Sequence, residues 1–361
     1  MSVTQIAFPA RIVRGAGALE EIGTLCADYG SRAMLIGGER ALAVTEATIG
    51  NCLRAAAVEL VASEHFGGEC TEQNINRLAA QARAEKAQVL IIAGGGKAQD
   101  TGKAVGNLCA LPVITVPTIA ATCAAVTPLT VRYYPDGHFR DMLHLANSPV
   151  AVVIDSQLLA QAPTRWLAAG LGDTLAKWYE YRAISRNGAV GGMALAAQAN
   201  SRICYQLIET YGAAASQAAE RGATTPELEQ VLDAIFLFAG LTSLMGSGAH
   251  AAAAHALFEG FTVCDKTRDF GHGLLVGYGN LCLLAIEQRS DEELLEALKL
   301  AQACNIPLHM AQIADDLTAD EIDAIVAAAV DAPDMANMPQ PVTSVQVAQA
   351  IQRVHALAQR L

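Results

Sequence analysis

Short β-branched runs alternate with helical stretches through about residue 150. Arg32–Ile36 (RAMLI) predicts a strand, Val44–Ala57 a helix and Val58–Val61 a strand. Thr71–Lys86 predicts a helix, Val89–Ala93 (VLIIA) a strand, Lys97–Leu108 a helix, and Val113–Val116 (VITV) and Val150–Ile154 two further strands. Alternation at this spacing builds βαβ units on a parallel, Rossmann-like sheet. From Leu158 onward the pattern turns to amphipathic or apolar helix with almost no strand signal. Pro163, Gly188, Gly212, Pro226, Gly246-Ser247-Gly248, Pro307 and the segment 333–341 punctuate it. The expectation is an α/β domain over residues 1–158 and an all-helical domain over 159–361.

Composition narrows the class. At 361 residues the chain exceeds the size at which one core stops growing, which again predicts two domains. Hydrophobic residues reach 52% and charged residues only 17%, as in a well-packed helical protein that hides surface between subunits, so a homo-oligomer is expected. A net charge of −12 without any basic run excludes nucleic acid as a partner. The 9 cysteines stand singly, with no CxxC, which predicts neither a disulfide framework nor a zinc ribbon and fits a reducing cytoplasm. The N-terminal MSVTQIAFPARIVRGAG lacks the apolar run of a signal peptide. Ala234–Phe258 contains no Asp, Glu, Lys or Arg and is long enough to span a bilayer. Its internal glycines and its histidines predict instead two buried helices broken at the glycines, with no membrane partner.

Three places carry candidate chemistry. The strand VLIIA runs into Gly94-Gly95-Gly96-Lys97 and then Ala98-Gln99-Asp100 at a helix start. Glycines admit a close ligand, the helix N-terminus offers N–H groups and Lys97 adds charge, which together make a pyrophosphate cradle. The pattern is not GxGxxG, and such turns also occur without a ligand. A second loop, Pro117-Thr118-Ile119-Ala120-Ala121-Thr122-Cys123, leaves the next strand and borders the same crevice. Asp173 directly precedes a helical run, where an aspartate serves as an ordinary N-cap. Beside His255 and His272 it makes a carboxylate and two imidazoles with an open position, a catalytic metal arrangement. The competing reading is a core histidine and a loop histidine that never meet. His250, about 140° from His255 around a helix, is expected to pack or support rather than share the ion.

FGGECTEQNI (66–75), GGGKAQDTGKAV (94–105), VPTIAATCAAVTPLTVRYY (116–134), AAGLGDTLAKWYEYRA (168–183), AAAAHALFEGFT (251–262) and His272-Gly273 follow one another in a familiar order. On these motifs the chain resembles the glycerol dehydrogenase family, within the iron-containing or group III alcohol dehydrogenases. Around Cys123 it resembles the hydroxycarboxylate dehydrogenase A-like branch. The resemblance implies a dehydroquinate synthase-like fold, with an α/β dinucleotide domain, an all-α catalytic domain and catalysis in the cleft between them. It implies a divalent metal on Asp173, His255 and His272, with zinc expected and Fe2+, Mn2+ or Ni2+ as alternatives. It also implies NAD(P) contacts at Gly95, Gly96, Lys97, Thr118, Ile119, Thr127, Leu129 and Tyr133, with Gly94, Asp100 and Thr122 beside them.

Three departures from the glycerol dehydrogenase pattern shape the functional expectation. Cys123 stands where those enzymes carry an aspartate near glycerol. Gly38, followed by Glu39 and Arg40, stands where they carry the aspartate that holds the adenosine ribose. Phe258 replaces a second histidine. Losing the ribose carboxylate and gaining an arginine predicts that NADP is accepted as well as NAD. Losing the aspartate at 123 favours short 2-oxo acids, reduced to 2-hydroxy acids, over glycerol. Arg132 and Lys266 are candidates for a substrate carboxylate clamp. Glycerol oxidation is the alternative within the family. A dehydroquinate synthase-type lyase would need a Lys, Arg and Asn cluster around the metal, and a non-enzymatic nucleotide-binding regulator would need no Lewis acid.

Overall fold

A computed structural model describes residues 6–185, 191–246 and 251–361. His250, Gly188, Ser247 and Gly248 lie outside the described residues. The chain divides into two compact units, one running to Ala162 and taking in Gly222–Thr224, the other comprising Pro163–Arg221 and Thr225–Leu361.

The first unit follows the order β1 (Arg11–Gly15), α1 (Ile22–Ala27), β2 (Arg32–Gly37), α2 (Glu39–Ala55), β3 (Glu59–His65), α3 (Glu72–Ala84), β4 (Val89–Gly94), α4 (Gly96–Cys109) and β5 (Val113–Pro117). The strands β6 (Leu129–Tyr133), β7 (Phe139–His144) and β8 (Ala151–Asp155) and the helix α5 (Ser156–Ala160) complete it. Six strands form a parallel sheet in the order β1-β8-β5-β4-β2-β3. Helices cover both faces, so the central strands read as unbroken apolar runs rather than as alternating ones. Leu35, Ile91 and Val153 pack with Ile22, Ile49 and Leu53 on one face. Met34, Leu90 and Ile92 pack with Ile75, Leu78 and Val105 on the other.

Two details differ from the sequence reading. The edge strand β1 was not expected, because RIVRG carries arginines on both sides of its apolar pair; it pairs with β8 from Arg11↔Ala151 to Gly15↔Asp155. Helix α2 begins at Glu39 rather than Val44, which puts Glu39 and Arg40 in its first turn, with Gly38 at the N-cap.

The chain steps from β2 outward to β3, crosses back to β4, and continues to β5 on the other side, so strand order reverses between β2 and β4. The register Gly37↔Ala93 and Gly94↔Pro117 brings the loops after β2, β4 and β5 to one edge of the sheet. Open α/β sheets bind ligands at such a reversal.

Lys103 of α4 fixes the loop that follows β5. It is 2% exposed, and its ammonium donates to the carbonyls of Ala124 (2.7 Å), Thr127 (3.0 Å) and Leu129 while pairing with Asp100 at 3.0 Å. Asp100 in turn accepts from the backbone N–H of Val131 in β6 (3.1 Å). Lys103→Met should therefore destabilise the protein by about 3–5 kcal/mol, because Asp100 is left as an unpaired buried charge. In urea unfolding, adding Asp100→Asn should recover part of that loss; a simple sum of the two single effects would contradict this account.

The second unit is helical throughout its described residues. Its helices are α6 (Thr164–Ile184), α7 (Gly192–Glu220), α8 (Pro226–Leu232), α9 (Ala239–Met245), α10 (Ala253–Phe261), α11 (Asp265–Arg268), α12 (His272–Ile286), α13 (Asp291–Ala303), α14 (Ala319–Asp331) and α15 (Ser344–Ala358). A π-helical turn, Asp233–Phe238, joins α8 to α9. The combined helix Pro226–Met245 is long and apolar enough by length and composition to cross a membrane, and half of its most apolar window is buried inside the unit. Asn200 of α7 anchors it by donating to the Phe238 carbonyl and to Thr242 Oγ1 (2.8 Å).

Candidate metal centre and dinucleotide loops

Asp173 is not a helix cap. It lies in the interior of α6, where the glycines before it serve a helix contact rather than a helix start. A Cβ on Gly172 would stand 2.3 Å from the Gly273 carbonyl oxygen, and one on Gly273 would stand 2.1 Å from that of Ala169. A Cβ on Gly279 would stand 2.5 Å from the Ala254 carbonyl oxygen. Helix α12 thus lies backbone against backbone on α6 beside Asp173 and His272, and on α10 beside His255. Asn280 seals the first contact by donating to the Gly172 carbonyl (2.9 Å).

This packing brings the three candidate ligands together. Asp173 Oδ1 lies 3.6 Å from His255 Nε2 and 3.8 Å from His272 Nε2, and one ligand atom from each residue falls within 4.8 Å of the others. Tetrahedral zinc with bonds of about 2.0–2.1 Å would hold such atoms about 3.3 Å apart, so the donor set fits a divalent ion after small adjustments. Phe258 packs edge-on against His272, with ring centroids 4.3 Å apart at 76°.

Two residues absent from the sequence reading complete the centre. Glu180 is fully buried; its Oε2 lies 2.7 Å from His255 Nδ1, and its Oε1 accepts from the backbone N–H groups of Ala252 (2.8 Å) and His255 (2.9 Å). That arrangement keeps the proton on Nδ1 and turns Nε2 toward Asp173, the usual support of a metal-binding histidine. Lys177, 4% exposed, places Nζ 3.4 Å from Asp173 Oδ1. Asp173, Lys177 and Glu180 stand four and then three residues apart, on one face of α6. Buried charges at that spacing in an apolar helix are the signal that could have found them.

Burial opposes ionisation of Asp173, yet the Lys177 ammonium and the two imidazoles outweigh it and hold the carboxyl well below its usual range. Burial likewise opposes charge on His255, but Glu180 and Asp173 prevail and raise it to about 10. Without an ion, His255 is therefore protonated at neutral pH. Its stabilising contribution is complete below the ordinary histidine value of about 6.5 and is lost as pH rises through about 10. A metal ion must displace the Nε2 proton. Zinc affinity should consequently climb as pH rises toward about 10, by at most about tenfold per pH unit, and calorimetry should show proton release that varies with the buffer. Glu180→Gln should weaken zinc binding by about 10–100-fold and flatten the climb. A pH-independent affinity in the unsubstituted protein would contradict the assignment.

In the first unit, Gly95 is the N-cap of α4 and no side chain caps the helix, the arrangement in which a helix start can receive an anion. A Cβ on Gly95 would meet Ile119 Cδ1 at 2.5 Å, and one on Gly96 would lie 3.5 Å from Thr122 Oγ1, so the two loops face each other across bare backbone. The Thr118 N–H donates to the Gly94 carbonyl (3.1 Å). Lys97 pairs with Glu69 at 2.5 Å and lies 5.6 Å from the centroid of the Tyr133 ring. Gly38 adjoins this edge, its nitrogen 4.0 Å from where a Gly94 Cβ would be, and Glu39 and Arg40 are exposed beside it.

Asp100, Thr127 and Leu129 stand differently, since the Asp100 carboxylate and the other two carbonyls are engaged by Lys103. Cys123 is half-buried in the loop after β5 and forms no disulfide. Neither candidate clamp stands ready: Arg132 binds Asp141 through two hydrogen bonds (2.7 and 2.8 Å), and Lys266 binds Asp316 and Glu321.

Comparison with known proteins agrees with this geometry. Residues 9–156 match the iron-containing alcohol dehydrogenase family. Glycerol dehydrogenase of Thermotoga maritima is 34% identical over 354 residues, covering 96% of this chain and 95% of that protein. Hydroxycarboxylate dehydrogenase A of Escherichia coli is 33% identical over 305 residues, 82% of each chain. The crystal structure of glycerol dehydrogenase from Schizosaccharomyces pombe superposes with a TM-score of 0.89 at 26% identity, covering 100% of this chain and 92% of that one.

Proposed function

The chain belongs to the iron-containing alcohol dehydrogenase family, and on that premise we propose that it is a zinc-dependent, NAD(P)-linked dehydrogenase reducing short 2-oxo acids to 2-hydroxy acids. In this reading residues 1–158 bind the dinucleotide and residues 159–361 hold the metal and substrate. The observation that carries the chemistry is the convergence of Asp173, His255 and His272 within 4.8 Å, supported by buried Glu180.

A divalent ion held there supplies a Lewis acid for the substrate oxygen, and the dinucleotide supplies the hydride. Glu180 keeps the His255 proton on Nδ1, and Phe258 covers one side of His272 with apolar surface. Gly95 and Gly96 admit the pyrophosphate to the first amides of α4, flanked by Ile119 and Thr122. Gly38 offers no carboxylate to the ribose, and Arg40 in the first turn of α2 provides a cation for a 2′-phosphate. Cys123 brings a thiol where an aspartate would supply a polyol with a hydrogen-bond acceptor and repel a substrate carboxylate. The relatives also support a second reading, polyol oxidation, because a glycerol dehydrogenase matches along 96% of the chain.

Steady-state rates with glycerol, 2-oxobutanoate and 2-oxoglutarate, each with NAD(H) and NADP(H), separate these readings. The expected result is a higher kcat/KM for 2-oxobutanoate than for glycerol, and use of both cofactors. Cys123→Asp should shift the substrate ratio toward glycerol by about tenfold, the effect of restoring one hydrogen-bond partner. Gly38→Asp should depress NADP use selectively. Glycerol oxidised far faster than either oxo acid is reduced would overturn the substrate assignment.

A further inference from the structure

Lys97, in the first turn of α4, does not stand free at the glycine turn. Its ammonium pairs with the Glu69 carboxylate at 2.5 Å. The lysine side chain is 53% exposed and that of Glu69 only 18%, so the carboxylate is the fixed partner and the ammonium the movable one. Local contacts do the fixing. Glu69 Oε1 accepts from the Cys70 backbone N–H (3.0 Å), and the Asn74 amide of α3 donates to the carbonyls of Gly67 (3.4 Å) and Glu69 (2.9 Å). Gly67 and Gly68 lead into the loop with φ of 105° and 86°, values that glycine adopts without strain. The other lysine of α4, Lys103, is committed to Asp100 and the loop carbonyls and has no proton left for a phosphate.

A pyrophosphate at the glycine turn would draw on the Lys97 ammonium. Two anions then share one cation, a carboxylate built into the chain and a phosphate that comes and goes. A phosphate gains less from a lysine already paired than from a free one, because the nearby negative charge offsets the attraction. Resting on the dinucleotide reading above, we propose that Glu69 is a built-in competitor for Lys97. It sets the affinity of the glycine turn for the pyrophosphate, weakening dinucleotide binding and speeding its release.

The test compares the full unsubstituted chain with Glu69→Gln, Lys97→Met and the double variant, using NADH, ADP and adenosine as probes. NADH affinity and release rate are read from nucleotide fluorescence, and the other two affinities from displacement of NADH. Glutamine keeps an acceptor for the Cys70 N–H and removes only the charge. Glu69→Gln should therefore bind NADH and ADP about three- to tenfold more tightly, release NADH more slowly by a similar factor, and bind adenosine as before. Lys97→Met should weaken ADP, and Glu69→Gln should tighten ADP less in that background than in the unsubstituted chain. Unchanged ADP affinity in Glu69→Gln would overturn the proposal. Weaker ADP binding would also overturn it, by making Glu69 a support that holds Lys97 in place. Equal tightening of adenosine, which carries no phosphate, would overturn it as well, and so would equal tightening of ADP with and without Lys97. If Lys97→Met weakens ADP while Glu69→Gln leaves it alone, only the competitor falls. If Lys97→Met leaves ADP binding untouched, the reading of the glycine turn as a pyrophosphate cradle falls first.

Discussion

Three helix backbones meet without side chains between them, and the positions of Asp173, His255 and His272, the proposed metal ligands, follow from that contact. Gly172 and Gly273 let α6 and α12 approach until added Cβ atoms would lie 2.3 and 2.1 Å from opposing carbonyl oxygens, and Gly279 does the same for α12 against Ala254 of α10. Asp173, His272 and His255 each adjoin in sequence one of the residues whose backbones are in contact, Gly172, Gly273 and Ala254. The backbone spacing is therefore passed directly to the ligands, with no flexible side chain to absorb an error. Close-packed interiors transmit strain rather than dissipate it, so a methyl group at this junction would be felt at the proposed ion site.

The electrostatics of the centre are concentrated on one helix. Asp173, Lys177 and Glu180 share a face of α6, while the imidazoles arrive from α10 and α12. Burial of three charged side chains is tolerable only because each has a partner: Lys177 beside Asp173, and Glu180 beneath His255 with two backbone amides. The first unit uses the same economy. Buried Lys103 ties Asp100 to the carbonyls of the loop after β5, holding Ile119 and Thr122 opposite the glycine turn. In both units a buried lysine on a helix is paired with a buried aspartate of the same helix.

What the sequence revealed depended on whether a residue's role is local. Strands β2, β4, β5 and β8 were legible because a strand covered on both faces must be apolar throughout. The triad was legible from its motifs. β1 was not, since its arginines masked an apolar pair of only two residues. Asp173 looks in sequence like the cap before a helical run, yet it lies inside α6, and only the facing carbonyls of α12 reveal that the glycines before it serve contact. Asp100 looked available to a cofactor because Lys103 was not recognised as its buried partner. Glu180 and Lys177 were overlooked because nothing local distinguishes a buried charge from a solvated one; their spacing from Asp173 was the only trace.

The most direct test of this account is zinc binding by Gly273→Ala, which leaves every ligand side chain in place and alters only the spacing of α6 and α12. After removal of metal with a chelator and equilibration against graded zinc, the unsubstituted chain should take up one ion at the Asp173–His255–His272 cluster. The variant, checked for unchanged helical content by circular dichroism, should bind zinc about tenfold or more weakly. Zinc affinity and stoichiometry equal to those of the unsubstituted protein would contradict the claim that backbone contact positions the centre.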